Sequence, residues 1–246
     1  MLVALTIIRY SKAKIPLAFL AMALHRIPLF LNGKCSFWKL MGSGKNGTFD
    51  KQADLQQWAL LTVWNDKDDF TEFQQRSFIS TWWKSFAAET YTVLCEPLTS
   101  HGLWDGKEPF GKPQNAGYTG PVAVLTRATI RFNRLKNFWA NVEKVARLMT
   151  RSKGYITSFG VGEAPLYRQA TFSVWESLDD VKAFAYQSTE HREVNQKTRD
   201  ENWYSEELFA RFKPIASFGT LNGVDPLAHI FKPADESNSR ITTPGL

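Results

Sequence analysis

An internal repeat constrains the fold of this chain more than any other feature of its sequence. Five segments of the first half recur in the same order in the second half, displaced by 111 to 122 residues. The matched pairs are 8–10 with 130–132, 40–44 with 158–162, 58–64 with 169–175, Phe73 with Phe184, and 100–106 with 217–223. Because the spacing changes only between these segments, the repeat predicts one structural unit that occurs twice, with short insertions between its elements.

Each copy has the pattern strand, helix, strand, strand, helix, strand. In the second copy, 122–131 is rich in β-branched residues and alternates as a strand does, whereas 135–148 has apolar residues at helical spacing. Two further strands are predicted at 155–162 and 168–175, with a turn between them. The order of these elements predicts a βαββαβ unit in each half.

The second helix of the second copy begins at a recognisable cap. Ser177 with Asp180 three residues later is a capping box. Apolar positions over 181–209 predict that this helix, with a break near Thr189, continues beyond residue 203. The last strand is therefore expected to begin near Pro214.

A βαββαβ unit covers one face of its sheet with helices, so the other face needs a partner. Two fused copies supply that partner to each other. We therefore expect an α+β protein built from tandem ferredoxin-like repeats, whose sheets pack face to face or close into a barrel with the helices outside and an aromatic-lined space between the halves. The predicted boundaries are 1–112 and 120–232 for the two repeats and 233–246 for a disordered polar tail.

The composition excludes some functions and leaves others open. The net charge is +6 with a pI of about 9.3, yet there is no long basic run and no nucleic-acid signature, so no nucleic-acid partner is expected. Cys35 and Cys95 form no CxxC motif, which fits a reducing, cytoplasmic compartment. Aromatic residues make up 14% of the chain, enough for either a dense core or the lining of a site for a long apolar ligand.

The N-terminal region imitates a signal peptide, because the apolar stretch 15–24 follows Lys12 and Lys14. This stretch is shorter than the roughly 20 residues that span a bilayer. The segment just before it, 5–10, has a counterpart in the second repeat, so cleavage would remove a structural element. We interpret the region as part of the fold.

Several segments, in the same order, resemble the spheroidene monooxygenase family. They lie at 37–44, 125–131, 161–166, 203–212 and 223–227, so that the resemblance extends from about residue 3 to 228. It implies a dimeric α/β barrel, a bound haem b with its iron, molecular oxygen and a ferredoxin-type electron donor. It also implies hydroxylation of an allylic methylene of an acyclic carotenoid, and a second round at the same carbon that yields a ketone. With such a substrate we expect a cytoplasmic protein that touches the inner membrane surface.

A non-covalent haem needs an axial ligand, most simply a neutral imidazole. Of the four histidines, His25 is expected in solvent, and His101 and His229 lie in turn or near-terminal regions. His191 lies on the second helix of the second copy, where the first copy has Ser80. A single asymmetric haem site requires such a difference, so His191 is the candidate metal ligand; the alternative is a partly exposed helical histidine.

Further candidates follow from two requirements. Oxygen activation needs hydrogen-bond donors that stabilise developing negative charge, and haem propionates need cations. Four cations lie in or next to predicted strands, where alternation directs some of them inward: Lys39, Arg127, Arg131 and Arg168. The candidates for catalysis are Arg127 and Arg168, and those for cofactor binding are Lys39, Arg131 and Trp203. For each cation the alternative is a solvent-facing charge.

The aromatic residues divide into two groups. Trp38, Trp203 and Tyr204 are expected to line an apolar channel for a polyene, whereas Trp64 and Trp175 recur in both copies and are expected to belong to the core. Two other functions remain open at this point. One is a different haem reaction on the same barrel, such as aldoxime dehydration or peroxide-dependent oxidation, and the other is a cofactor-free carrier of an apolar molecule.

Overall fold

The structure is a computed structural model that describes residues 1–45, 52–113, 117–187 and 196–231. Eight strands in this part of the chain form a closed barrel. The strands are β1 (Leu2–Arg9), β2 (Cys35–Gly44), β3 (Ala53–Trp64), β4 (Glu89–Gly102), β5 (Val122–Ile130), β6 (Tyr155–Ala164), β7 (Arg168–Trp175) and β8 (Tyr204–Gly219). The helices are α1 (Ile15–Leu24), α2 (Arg26–Leu31), α3 (Lys67–Arg76), α4 (Phe78–Phe86), α5 (Leu135–Thr150) and α6 (Leu178–Gln187), and a short helix follows at Ala228–Phe231.

The order of strands around the barrel reflects the internal repeat. It runs β1-β3-β2-β6-β7-β5-β8-β4, so β1 to β4 occupy one half and β5 to β8 the other. All neighbouring strands are antiparallel. The predicted α+β class and the barrel of two ferredoxin-like repeats are therefore confirmed.

Two seams join the halves, and they differ greatly in length. The β4–β8 seam pairs residues from Tyr91↔Gly219 to Gly102↔Leu208. Among the described residues, the β2–β6 seam pairs Gly42 with Gly162 and Ser43 with Val161 alone. The barrel is thus closed firmly on one side and by a short contact on the other.

Alternation of side chains places one core inside the barrel and further cores outside it. The interior cluster takes residues from every strand, with the large rings of Phe159, Phe172 and Phe212 at its centre. The predicted aromatic-lined space between the halves is therefore filled by packed side chains. Trp64 and Trp175 lie outside this cluster, fully buried under the helices, and their indoles donate to Thr62 and Ser173 respectively. Both belong to the core, as predicted.

The end of the second repeat differs from the prediction. The expected helix over 203–212 is the first part of strand β8, which begins about ten residues before Pro214. The strand alternates Leu208, Ala210 and Phe212 into the interior with Phe209 on the other face, and it pairs with β4 on one side and β5 on the other. The capping box is confirmed, because Ser177 bonds both the backbone N–H and the carboxyl group of Asp180 before α6.

The helical segment near the N-terminus is longer than predicted. By length and composition, the 20 residues Lys12–Leu31 are apolar enough to cross a membrane, with a mean hydropathy of 1.4 over their most apolar 18 residues. In the structure this segment is broken at His25 into α1 and α2, and Ala18, Ala21 and Leu29 are buried against the barrel.

Candidate functional site

An ionic cluster occupies one end of the barrel. It contains three cations and three carboxylates from strands β2, β5, β6, β7 and β8 and from the turn after β4: Lys39, Asp105, Arg127, Glu163, Arg168 and Glu206. Arg127 is 1% exposed; it hydrogen-bonds Glu206 and lies 3.6 Å from Asp105. Arg168 lies 3.3 Å from both Asp105 and Glu163, and Lys39 pairs with the same two carboxylates. Three of the predicted site residues are therefore brought together.

A turn of unusual backbone conformation anchors the cluster. Asp105 and Gly106 both have positive φ angles, of 51° and 70°, and their two N–H groups point at the carboxylate of Glu206, each at 2.9 Å. The same device occurs at the other end of the long seam, where Asn222 and Gly223 donate to Glu89. The turn therefore occurs in both repeats, whereas its contact with Arg127 has no counterpart in the other copy.

Nearby cations and N–H groups favour the ionised form of Glu206 and of Asp105. Burial acts to raise the pKa of Glu206, but the N–H groups of Gly106 and Asp105 together with Arg127 outweigh it and leave this pKa below its usual value. Burial also acts to raise the pKa of Asp105, and Lys39, Arg168 and Arg127 outweigh it in turn. These two carboxylates are therefore held as ionised partners of the neighbouring cations.

The cluster is a place where the two repeats have diverged. At the matched offsets, Arg127 corresponds to Leu5 and Arg168 to Gln57, while Glu206 corresponds to Glu89. The carboxylates were not found from the sequence. The signal that could have shown them is the repeated turn 103–106, whose acceptor Glu206 has an equivalent in the other copy.

The cluster has unused donors and an opening. Nε of Arg127, Nη2 of Arg127 and Nε of Arg168 have no hydrogen-bond acceptor among the described residues. A cleft of about 470 Å³ reaches Lys39, Arg168 and Glu163 from beneath α2. The cluster is therefore accessible to small polar molecules from one side.

Two other predicted site residues lie away from this cluster. Arg131 follows β5 and is exposed, and its backbone N–H donates to the carbonyl of Trp203 at 2.8 Å. Trp203 is 1% exposed, and its indole donates to Glu201 at 2.8 Å. Its ring belongs to a small cluster under α5 that includes Phe138 and Trp139.

The histidines are distributed differently from the prediction. His191, the candidate metal ligand, lies outside the described residues. The expectation that His25 faces solvent is wrong, because it is 2% exposed and its ring meets those of Phe78, Trp82 and Trp83 edge-on. Burial lowers the pKa of His25 to about 4. It lies on the same helical face as Ala18, Ala21 and Leu29, the face that packs on the barrel.

The remaining described histidines are exposed. His101 lies near the end of β4, and His229 lies 3.3 Å from Glu176. Among the described residues, no three or more histidine, cysteine, aspartate or glutamate side chains are arranged so that they could hold a metal ion. A haem needs only one axial side chain, so this finding bears on metal clusters and not on haem.

An apolar cavity of about 150 Å³ lies between the outer face of the second-repeat sheet and helices α5 and α6. We call it the α5–α6 cavity. Its walls are mainly aliphatic and aromatic, and its floor carries three hydroxyl groups: Thr126, Thr171 and Ser173. The hydroxyl of Thr171 is buried and has no hydrogen-bond partner among the described residues. Thr126 faces this cavity, whereas Arg127 next to it faces the barrel interior.

The first repeat has an equivalent space of different character. It lies under α3 and α4, and Gln74, Lys84 and Glu89 contribute to its lining. Its floor hydroxyls, Thr6 and Thr92, bond each other at 2.9 Å. The outer core of the first repeat is one cluster, whereas that of the second is divided into two. Of these two equivalent spaces, the one in the second repeat is therefore the apolar one, with an unpaired hydroxyl on its floor.

Comparison with characterised sequences identifies the family. The spheroidene monooxygenase of Cereibacter sphaeroides is 35% identical over 92% of this chain and 70% of its own length. That of Rhodobacter capsulatus is 32% identical over 92% of this chain and 95% of its own length. The chain belongs to the spheroidene monooxygenase family. The enzyme of this name from Rubrivivax gelatinosus is 33% identical over 76% of the chain and 72% of its own length.

Similarities to a domain family and to solved structures concern the fold of this member of the spheroidene monooxygenase family. A domain of unknown function (DUF3291) matches residues 122–210, which lie in the second repeat. An aldoxime dehydratase in complex with butyraldoxime superposes with a TM-score of 0.56, at 10% identity, over 87% of this chain and 79% of its own. A second aldoxime dehydratase gives a TM-score of 0.52 at 9% identity, over 87% and 80%. At such low identity the likeness shows a shared barrel fold.

Proposed function

We propose that this protein is a haem-dependent monooxygenase that hydroxylates an acyclic carotenoid at an allylic methylene, and oxidises it further to a ketone, with O2 and a reduced ferredoxin-type donor. The observation that carries the proposal is the match to three spheroidene monooxygenases over most of the chain. The two halves of the duplicated barrel differ in chemistry. A single asymmetric haem site requires such a difference.

The α5–α6 cavity is the place where the chemistry of the residues suits a haem. Its walls offer apolar surface for a macrocycle, and the free hydroxyl of Thr171 offers a donor on the sheet side. Its volume of about 150 Å³ is smaller than the range of about 300–1,000 Å³ that ligand pockets have. A haem therefore fits only with α5 and α6 further apart.

The repeat supports His191 as the axial ligand. Its counterpart in the first copy is Ser80, which is 4% exposed and lines the space between α4 and the sheet. The same position in the second copy would direct an imidazole toward the α5–α6 cavity. When bound there, the haem iron would supply the activation of oxygen.

The residues that line the cavity would then have different roles. Apolar side chains such as Val142, Val181 and Phe184 would exclude water from the macrocycle, and Thr171 would donate a hydrogen bond beside it. Arg127 faces the barrel interior, so a haem in this cavity would not contact it. Catalytic roles for Arg127 and Arg168, and haem contacts of Lys39 and Arg131, therefore require a haem elsewhere.

Reconstitution with haemin tests the cofactor. We expect a Soret band that shifts on reduction and on addition of carbon monoxide, and His191→Ala should weaken haem binding at least tenfold. His229→Ala is the matched control, because His229 is exposed, and it should bind haem as the wild type does. Preparations that remain without a Soret band would disprove haem binding. A normal band in His191→Ala would disprove the ligand assignment.

The site and the reaction need separate tests. Ala146→Leu should fill the α5–α6 cavity and weaken haem binding, whereas Ala140→Leu, exposed on the same helix, should not.

Cells that make an acyclic carotenoid and express the protein should accumulate hydroxy and keto products. Haem binding without such products would contradict the proposed reaction and favour another haem reaction.

A further inference from the structure

The outward face of α1 and α2 is apolar, which is unusual for a surface helix. Phe30 is 81% exposed and Leu31 74%, and Phe19, Leu20 and Ile27 are about half exposed or more. The small residues Ala18 and Ala21 face the barrel instead. In an ordinary surface helix the large apolar side chains face the core and polar residues face solvent.

The second repeat provides an internal comparison. Its helix α5 occupies the equivalent place after the first strand, and it has the ordinary arrangement. Phe138, Trp139 and Val142 are buried, while Lys136 and Arg147 are exposed. The apolar outer face is therefore particular to the first repeat, and the fold does not require it.

Unpaired positive charge surrounds this face. The first acidic residue of the chain is Asp50, so no carboxylate occurs within α1, α2 or their flanks. Lys12, Lys14 and Arg26 are free of ion pairs with the described carboxylates, whereas Lys34 beyond α2 pairs with Asp69 and Glu72. An apolar face with a basic rim is complementary to the surface of an anionic bilayer.

An apolar cleft adjoins α1 at the short seam of the barrel. It has a volume of about 260 Å³ and is lined by Phe19 and Met22 of α1, by Trp58, and by Leu166 after β6. Phe19 and Trp58 meet edge-on with ring centroids 5.0 Å apart. We call this space the seam cleft. It opens beside the apolar face, on the side of the short β2–β6 seam.

We propose that α1 and α2 lie on the surface of an anionic lipid bilayer, with Ile27, Phe30 and Leu31 inserted among the lipids and Lys12, Lys14 and Arg26 at the headgroups. The seam cleft then faces the bilayer and admits the apolar substrate. This second statement rests on the proposed function, whereas the docking itself does not. A spanning arrangement would remove His25 from its packing against α4 and Leu29 from its buried position against the barrel.

Sedimentation with lipid vesicles tests the docking, using the purified chain without haem or carotenoid. The wild type should bind vesicles of phosphatidylcholine and phosphatidylglycerol at least tenfold more tightly than vesicles of phosphatidylcholine alone, and high salt should weaken the binding. Phe30→Ser with Leu31→Ser should lose at least tenfold in affinity. The matched control is Phe132→Ser with Val224→Ser, which changes two exposed apolar residues elsewhere, 74% and 60% exposed, and should bind normally.

Three outcomes would overturn the proposal. Equal binding by both double variants would place the contact elsewhere. Resistance of the bound protein to extraction at alkaline pH would indicate a spanning helix. Self-association that Phe30→Ser with Leu31→Ser abolishes, without vesicle binding by the wild type, would make the face a contact between copies of the chain.

The role of the seam cleft has a separate readout. If the protein oxidises a carotenoid, the Phe30→Ser and Leu31→Ser variant should be slow with substrate embedded in vesicles and normal with substrate dispersed in detergent. A loss with both forms would contradict a role in delivery. Vesicle binding without any oxidation in the wild type would leave the docking intact and count against the proposed function alone.

Discussion

At the scale of single residues, Arg127 shows how a buried charge is tolerated. Its guanidinium group is almost inaccessible and is surrounded by Glu206, Asp105 and Glu163. Removing one member of a buried ion group leaves its partners uncompensated, which costs far more than the net stability that the group contributes. The first repeat has Leu5 at the matched position, so the same barrel accommodates either chemistry.

Arg127→Leu should lower the free energy of unfolding by about 3 kcal/mol, because three carboxylates lose their central cation. Urea denaturation followed by tryptophan fluorescence measures this loss. Arg131→Leu, a change at an exposed arginine, is the control and should have little effect. Adding Glu206→Gln to Arg127→Leu should recover part of the loss. Equal stability of the two single variants would show that the cluster contributes nothing.

His25 should make stability depend on pH between about 4 and 6.5. Its pKa is lowered to about 4 by burial, so between these values the unfolded chain binds a proton that the folded chain does not. Stability then rises with pH, and lowering the pH from 7 to 5 should cost about 2 kcal/mol from this group. His25→Leu should lose that part of the slope, as measured by urea denaturation at each pH, and His229→Leu should retain it. An identical slope in His25→Leu would refute the assignment.

At the scale of elements, the two seams show how glycine controls strand contact. Gly42 and Gly162 face each other where β2 meets β6. A Cβ atom on Gly162 would lie 2.8 Å from the carbonyl oxygen of Arg168, whereas one on Gly42 would have no neighbour closer than 4.0 Å. The close contact lies between β6 and β7, so glycine at 162 is needed for the pairing of these two strands, whereas the side of the seam at Gly42 has room for a methyl group.

Gly162→Ala should destabilise the protein by about 1–3 kcal/mol, because strand β7 must shift to admit the methyl group. Gly42→Ala makes the same chemical change across the seam and should cost less than about 1 kcal/mol. Thermal unfolding compares the two variants directly. A larger loss for Gly42→Ala than for Gly162→Ala would contradict this account of the contact between β6 and β7.

At the scale of the whole molecule, duplication supplies the frame and divergence supplies the specialised places. The two halves share the strand order and the turns that bind Glu89 and Glu206. They differ in the ionic cluster, in the apolar α5–α6 cavity of the second half and in the apolar face of α1 and α2 in the first. The interior core takes side chains from both halves, so each repeat needs the other. The boundaries at 1–112 and 120–232 stay a prediction, and 233–246 lies outside the described residues.

The duplicated topology could be predicted from the sequence, because repeated motifs in a constant order leave few arrangements of strands and helices. The sequence also indicated the family and the capping box before α6, since both depend on residues close together in the chain. The candidate His191 came from a difference between the copies and stays a prediction.

The start of β8 could not be predicted from the sequence, because the apolar residues over 203–212 fit either a helix or a strand. Pairing with β4 and β5 satisfies the backbone on both edges and favours the strand. Only closure of the barrel brings Lys39, Asp105 and Glu206 together from distant parts of the chain. Packing against Trp82 and Trp83 likewise buries His25, whose neighbours in sequence gave no sign of it. Contacts of this kind depend on distances between elements, and local pattern carries no information about those distances.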